Sequence, residues 1–384
     1  MKILVFSPYY PPHIGGLESH ADEFNKYLSQ KGIDITVFTP RLPKEATEKE
    51  IRYNNVKIIR FPAFEIISNY PLPKFWTIKF WQLFLALFKI KFDIVISRTR
   101  FFNTSLLALI YAKIKRVKWI HIEHGSDFIQ LSSKFKTFIA KLYDYTFGFL
   151  IFKFSDINIS ISQAVSKFIK KFDKRNSPTI YRGMDFEEID KINPDSEMKK
   201  EFERKIIISF AGRLYKWKGV EIGILAIKSL PKEIKEKIVF LIVGDGEDFS
   251  TLKKLSEDES CIKMLRNIPR EKVIGILKIS DIYIHSSFPG GGLSTSLLEA
   301  MYCHCAVIAT PNEGADEIIN HGKNGLLLSK NATNITEEMS EAIKKLIKYP
   351  KKINALSNET QKTIQEKFKW GKTINAYEKN FKHQ

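Results

Sequence analysis

Residues 204–219 read RKIIISFAGRLYKWKG. An unbroken β-branched run ends on Ala211-Gly212, and two cations, Arg213 and Lys218, follow within one short loop. Such a run reads as a strand buried on both faces, as in a parallel sheet. The residues after it alternate between the two periods. Residues 218–230 are helical in pattern, KIVFLIVGDG (237–246) is a strand and a glycine turn, and SDIYIHSS (280–287) is a strand. A helix over 293–303 and the strand AVIATP (306–311) follow. The same alternation occupies the first half: strands at 2–7, 34–40, 92–98, 118–124 and 156–162, with a helix over 17–32 closed by Gly32. Strands separated by helices imply parallel sheets covered on both faces. The polar stretch RGMDFEEIDKINPDSEMKK (182–200) breaks both periods, so the pattern runs twice. We expect an α/β chain of two Rossmann-like, doubly wound parallel-sheet domains, 1–185 and 186–367, facing across a cleft. In such sheets ligands bind outside the carboxyl ends of the strands.

The 384 residues suit two domains, and 44% apolar content fills two cores. Three cysteines, with no secretory signal, read as a reducing, cytoplasmic setting rather than a disulfide framework. The formal charge is +18, of which about +11 falls within residues 1–190. Between Lys79 and Lys118 stand nine basic residues with Asp93 as the sole acid. Two segments, 75–92 and 135–154, mix aromatics with lysines without reaching the length of a membrane span. Together they suggest a peripheral contact with an anionic membrane surface on the inner face. No nucleic-acid recognition motif accompanies the charge, and a two-domain cleft suits small ligands.

Four places carry chemistry. Gly15 and Gly16 follow the first strand and open the first helix, where bare backbone and free amides suit an anion; a tight turn needs the same glycines. Arg213 and Lys218, at a strand's carboxyl end, suit a diphosphate: one as a planar fork, the other as a point charge. Gly244 lies in a generic strand-to-helix turn. In PGGGLSTSLLEA (289–300) glycines including Gly291 and Gly292 run into a helix beginning at Leu293, Ser294 and Thr295. Its free amides can cap a phosphate. Glu299, about one and a half turns inside, is set among apolar neighbours and reads as a buried, paired acid able to accept from vicinal hydroxyls. Cys303-His304-Cys305 has too few ligands at too tight a spacing for a metal and reads as a helix-to-strand turn.

The succession IGGLE, EHG, AGRLYKWKG, VGDGE, GLSTSLLEAM and EGADEIINHGKNGLLL resembles the retaining glycosyltransferases of family 4 (glycosyl transferases group 1), which have a GT-B fold. The resemblance covers nearly the whole chain and is strongest in the second half. It implies a UDP- or GDP-sugar donor held mainly by the second domain, a glycan or lipid-linked acceptor on the first, and no metal or other cofactor. By position, Arg213 and Lys218 match the diphosphate pair, Glu299 the ribose-binding second Glu of an E-x7-E motif, and Gly16 the turn facing the donor phosphates. His124 matches a His beside the donor sugar, and 368–384 the final helix that returns to the first domain. The resemblance implies catalytic roles for His124, Arg213 and Lys218. It implies donor contacts for Gly15, Gly16, Gly244, Gly291, Gly292, Leu293, Ser294, Thr295 and Glu299. The family's first Glu is replaced here by Gly291. That departure keeps open a second expectation, a catalytically silent nucleotide-sugar-binding subunit of a glycan-assembly complex.

Overall fold

The computed structural model describes every residue except 14, 68, 69, 129–133, 289–292, 313, 330–333, 383 and 384. The chain divides into two compact units, Met1–Met184 with Phe368–Gln384, and Asp185–Lys367. Both are α/β, each built on a parallel sheet.

The first unit contains β1 (Lys2–Phe6), β2 (Asp34–Pro40), β3 (Lys49–Arg52), β4 (Val56–Phe61), β5 (Ala63–Ile67), β6 (Tyr70–Pro73), β7 (Ile94–Arg98), β8 (Lys118–Glu123) and β9 (Ile157–Ser160). Seven of them form a sheet in the order β3-β4-β2-β1-β7-β8-β9, parallel except for the edge strand β3. β5 and β6 form a separate hairpin. Alternation along β1 separates two cores, since successive side chains point to opposite faces. Ile3 and Val5 pack with the helix Gly16–Ser29, while Leu4 and Phe6 pack with the helices Ile78–Leu87 and Asn103–Lys115. The terminal helix Trp370–Lys382 places Trp370, Ile374, Tyr377 and Phe381 in the first of these cores. Met184 N–H donates to Phe368 O at 2.8 Å, tying the returning chain down at its entry.

The second unit has six strands: β10 (Ile206–Ala211), β11 (Ile238–Val243), β12 (Ile262–Leu265), β13 (Ile282–His285), β14 (Ala306–Ala309) and β15 (Leu326–Leu327). Their order, β12-β11-β10-β13-β14-β15, is the doubly wound Rossmann order, and every pair is parallel. The sheet reverses direction of growth between β10 and β13, so loops leaving their carboxyl ends open the crevice where ligands bind in this topology.

Two features differ from the sequence reading. The stretch 182–200, which shows neither period in the sequence, holds two short helices. Asp185 accepts from Glu188 N–H and Asp195 from Met198 N–H, and these caps start the short helices Phe186–Lys191 and Ser196–Glu201. The basic run from Lys79 to Lys118 is not all surface, because Arg98 and Arg100 are fully buried. Arg100 pairs with Glu123 (3.2 Å) and Asp144 (2.9 Å), both without solvent exposure. Asp144 lies in a π-helical turn, Asp144–Gly148, between the helices Lys134–Tyr143 and Phe149–Phe154.

Removing one partner of a buried pair strands the other charge, at a cost of about 3–5 kcal/mol. Arg100→Ala is therefore expected to destabilise the first unit by that amount, read as an earlier urea transition. A loss below about 1 kcal/mol, the range of exposed pairs, would contradict the role given to this triad.

Candidate active site

In the second unit the turns after β10, β11 and β13 meet main chain to main chain. Gly219 adopts φ +60°, and a Cβ there would stand 2.2 Å from Ser286 O. Gly244 has φ +156°, and a Cβ there would stand 1.8 Å from Gly212 O. Only glycine tolerates both the dihedral and the approach. Around these contacts Ser286 Oγ donates to Lys218 O (3.0 Å) and Phe288 N–H to Trp217 O (2.7 Å). The buried Tyr283 hydroxyl reaches Ala211 O and Ser296 Oγ, both at 3.0 Å. It thereby joins the end of β10 to the helix Thr295–Tyr302. Arg213 and Lys218 sit half-buried on the first of these turns. The structure thus brings Arg213, Lys218, Gly244 and Ser294–Ser296 to one end of one sheet. Leu293 and Ser294 are buried, and Ser294 immediately precedes the helix without a side-chain capping bond. Gly291 and Gly292 lie outside the described residues.

Glu299 is buried and accepts from Arg270 Nη2 at 2.9 Å. Arg270 starts the helix Arg270–Leu277 and also pairs with Glu188 of the helix Phe186–Lys191. A carboxylate has about four lone-pair sites, so this bond does not exhaust Glu299 as an acceptor. At the far end of its helix, His304 takes φ +66°, a left-handed position that closes the helix before β14. Cys303 and Cys305 are buried and free. Among the described residues no group of three or more His, Cys, Asp or Glu is placed to hold a metal ion.

In the first unit, Gly15 has extended backbone and precedes the helix that Gly16 begins; Ser19 donates to Gly15 O from both its amide and its hydroxyl. His124 follows β8 in the sequence EHG. Glu123 is the anchor of that turn, accepting from His124 N–H (2.9 Å), Gly125 N–H (2.7 Å), Arg100 and His121 Nε2 (3.2 Å). Burial alone would raise its carboxyl, but Arg100, His121 and the Gly125 amide outweigh it and hold it down at about 2. His124 Nε2 is sealed from solvent and has no hydrogen-bond partner among the described residues. Its ring lies 5.2 Å from that of His20, which stacks 5.7 Å from Trp370 of the terminal helix. Arg98 Nη1 donates to His20 Nδ1 at 3.2 Å, and its guanidinium sits 4.8 Å above Phe24. No carboxylate among the described residues neutralises Arg98. Burial pulls its guanidinium down to about 10, so it stays charged at neutral pH. Burial and then the Arg98 charge push His124 down to about 3, and His20 well below the usual imidazole range. Both imidazoles are therefore neutral at pH 7.

Residues 192–363 match the family described as Glycosyl transferases group 1, and residues 14–188 match Glycosyltransferase Family 4. An uncharacterized glycosyltransferase of Methanocaldococcus jannaschii is 48% identical over 99% of this chain and 98% of its own length. The chain belongs to the group 1 (family 4) glycosyltransferases. Solved structures with GT-B folds superpose over nearly the whole chain. Sucrose-phosphate synthase of Thermosynechococcus elongatus gives a TM-score of 0.80 at 16% identity, covering 99% of this chain and 98% of that one. Anabaena HepE in complex with UDP gives 0.74 at 18%, covering 99% of each.

Several residues of this glycosyltransferase's site escaped the sequence reading. Arg270 follows a short strand, β12, that the pattern did not reveal, although Pro269 before it marks a helix start. Tyr283 and Ser286 looked like strand filler. Glu123 stands in EHG, but only His124 of that motif was assigned a role; Arg98 and His20 carry no motif spacing, and burial alone sets them apart.

Two histidines held neutral by burial beside a cation make stability depend on pH. Their folded values lie below the unfolded ~6.5, so the unfolded chain binds more protons below about 6.5, for His124 down to about 3, and folding weakens as pH falls through that window. The Glu123 contribution goes the same way but only below about 4.5. Between pH 7 and 5 the melting temperature of the glycosyltransferase is expected to fall by at least ~4 °C, and His20→Gln to flatten that slope. A slope unchanged by His20→Gln would contradict the assignment.

Proposed function

We propose that this glycosyltransferase is a retaining enzyme. It moves a sugar from a UDP- or GDP-sugar to a glycan or lipid-linked acceptor at the cytoplasmic face of a membrane, without a metal. The observation that carries the reading is the convergence, in the second unit, of Arg213 and Lys218 with the start of the helix Thr295–Tyr302. Two cations and a helix N-terminus form an electrostatic cradle for charge developing on a leaving diphosphate. Such a cradle needs no reorganisation as the glycosidic bond to the donor breaks, because its turns are pinned through Gly219 and Gly244. Glu299, oriented by Arg270, takes the ribose hydroxyls as an acceptor. His124, neutral and fixed by the Glu123-anchored turn, positions the sugar rather than acting as the sole base. With no protein nucleophile assigned, the acceptor attacks from the leaving-group side, and a donor phosphate oxygen helps to take its proton. That Anabaena HepE was solved with UDP supports a nucleotide donor.

Gly291, standing where the family has its first Glu, favours one other reading, a subunit that binds a nucleotide sugar without transferring it. Purified protein distinguishes the two. A panel of UDP- and GDP-sugars should give nucleotide release dependent on an acceptor, and raise the melting temperature by mass action. Arg213→Ala and Lys218→Ala should each lower kcat by at least ~100-fold, the scale of a lost transition-state donor, without lowering the melting temperature. Wild-type turnover in either variant would remove the diphosphate cradle. A thermal shift with no transfer to any acceptor would identify the silent subunit.

A further inference from the structure

Three helical stretches of the first unit turn large apolar side chains outward. The helix Ile78–Leu87 buries Phe80, Leu83, Phe84 and Leu87 but exposes Ile78, Trp81 and Leu85, and Trp76 just before it is 71% exposed. On the helix Asn103–Lys115, Ile110 and Ile114 are exposed. The stretch 134–154 inverts the usual pattern of a surface helix. Its inward side includes Ala140, Asp144 and Gly148, whereas Phe135, Phe138, Leu142 and Tyr145 point out at helical spacing. These stretches adjoin one another. Lys115 Nζ donates to Phe88 O at 3.1 Å, the Phe88 ring lies 4.7 Å from Tyr111, and the Lys113 ammonium lies 5.8 Å from the Phe154 ring.

Scattered apolar residues on a surface need no explanation, but a contiguous field of them does. Among the described residues, seventeen of the twenty-four exposed large apolar side chains fall on these three stretches, counting Phe75 to Ile90, Ile110 with Ile114, and Phe135 to Phe154. Between them stand exposed cations, among them Lys89, Lys91, Lys113, Lys115, Arg116 and Lys153. The one acid on the described residues of these helices, Asp144, is buried against Arg100. Of the nearby carboxylates, Asp93 accepts from the Lys2 amide and Glu48 pairs with Lys79.

We propose that this face docks on an anionic lipid bilayer, with its tryptophans and phenylalanines in the headgroup layer and its lysines on lipid phosphates. Aromatics at the water–hydrocarbon boundary with flanking cations are what such an interface selects. A protein partner fits less well, because lysine is depleted at protein interfaces. A second copy of the chain fits worst, since a two-fold contact through this face would set lysines against lysines. The inference rests on the membrane-face reading above only for its purpose; the surface stands without any assignment of donor or acceptor.

The test is sedimentation of the full-length chain with vesicles of phosphatidylcholine alone or with phosphatidylglycerol, at low and high salt, while tryptophan emission is followed. Trp119 and Trp370 are buried, and Trp217 is exposed on the second unit, so emission is followed in a Trp217→Phe background, where a blue shift reports mainly Trp76 and Trp81. The expected result is co-sedimentation with phosphatidylglycerol vesicles at low salt, weakened by salt or by their omission, with a blue shift. Ile78→Ser/Trp81→Ser/Leu85→Ser should lower partitioning at least ~10-fold, and Lys89→Glu/Lys91→Glu should weaken it further on anionic vesicles alone. Both variants should keep the wild-type melting temperature and its shift with UDP or GDP, which separates failure of this proposal from failure of the nucleotide reading. Three results would overturn the proposal: wild-type chain left in the supernatant at low salt, undiminished binding by the triple serine variant, or a blue shift that tracks protein concentration rather than vesicles.

Discussion

Everything assigned to the second unit depends on how closely the turn after β10 lies against the end of β13. At Gly219 there is no room for a Cβ beside Ser286 O, and at Gly244 none beside Gly212 O. Bare backbone lets three strand ends share one small surface, and Tyr283 and Ser286 lock it with hydrogen bonds. Arg213 and Lys218 are thereby carried on a turn that cannot drift from the helix start at Ser294–Ser296. Turns held in this way need no rearrangement to present their dipoles and charges, which is what makes fixed dipoles and charges effective in place of water.

The first unit solves a different problem. The charged groups around its EHG turn, Arg98, Arg100, Glu123 and Asp144, are buried rather than displayed. Arg100 organises Glu123 and Asp144, and Glu123 in turn fixes the turn that bears His124. Arg98 has no such acid among the described residues and instead faces two imidazoles and an aromatic ring. Burial first, and then this cation, keep the two histidines neutral. Trp370 completes the arrangement from the far end of the chain, stacking on His20 and donating to Glu23 at 2.9 Å. The terminal helix is thus part of the His124 environment as well as of the core.

Much of this was legible in the sequence. β2 spans 34–40 as read, and β1, β7, β8, β10, β11, β13 and β14 fall within their β-branched runs, because parallel strands buried on both faces leave continuous apolar stretches. Arg213, Lys218 and Glu299 were expected after a strand and inside a helix, and lie there. What escaped has physical reasons. β3 (KEIR) is mostly charged and β4 (VKIIRF) has its apolar run broken by Lys57 and Arg60 beside the sheet edge, and β12 and β15 are four and two residues long. The six-residue helices after Asp185 and Asp195 are too short to show a period and are started by caps. Arg98 and Arg100 were counted with the surface charge, since composition does not distinguish a buried guanidinium from a solvated one.

Hydrogen–deuterium exchange with and without UDP or GDP tests the central claim most directly. The nucleotide cradle predicts added amide protection in the turn 212–219 and across 286–299. Protection confined to other segments, under conditions where the nucleotide demonstrably binds, would contradict it.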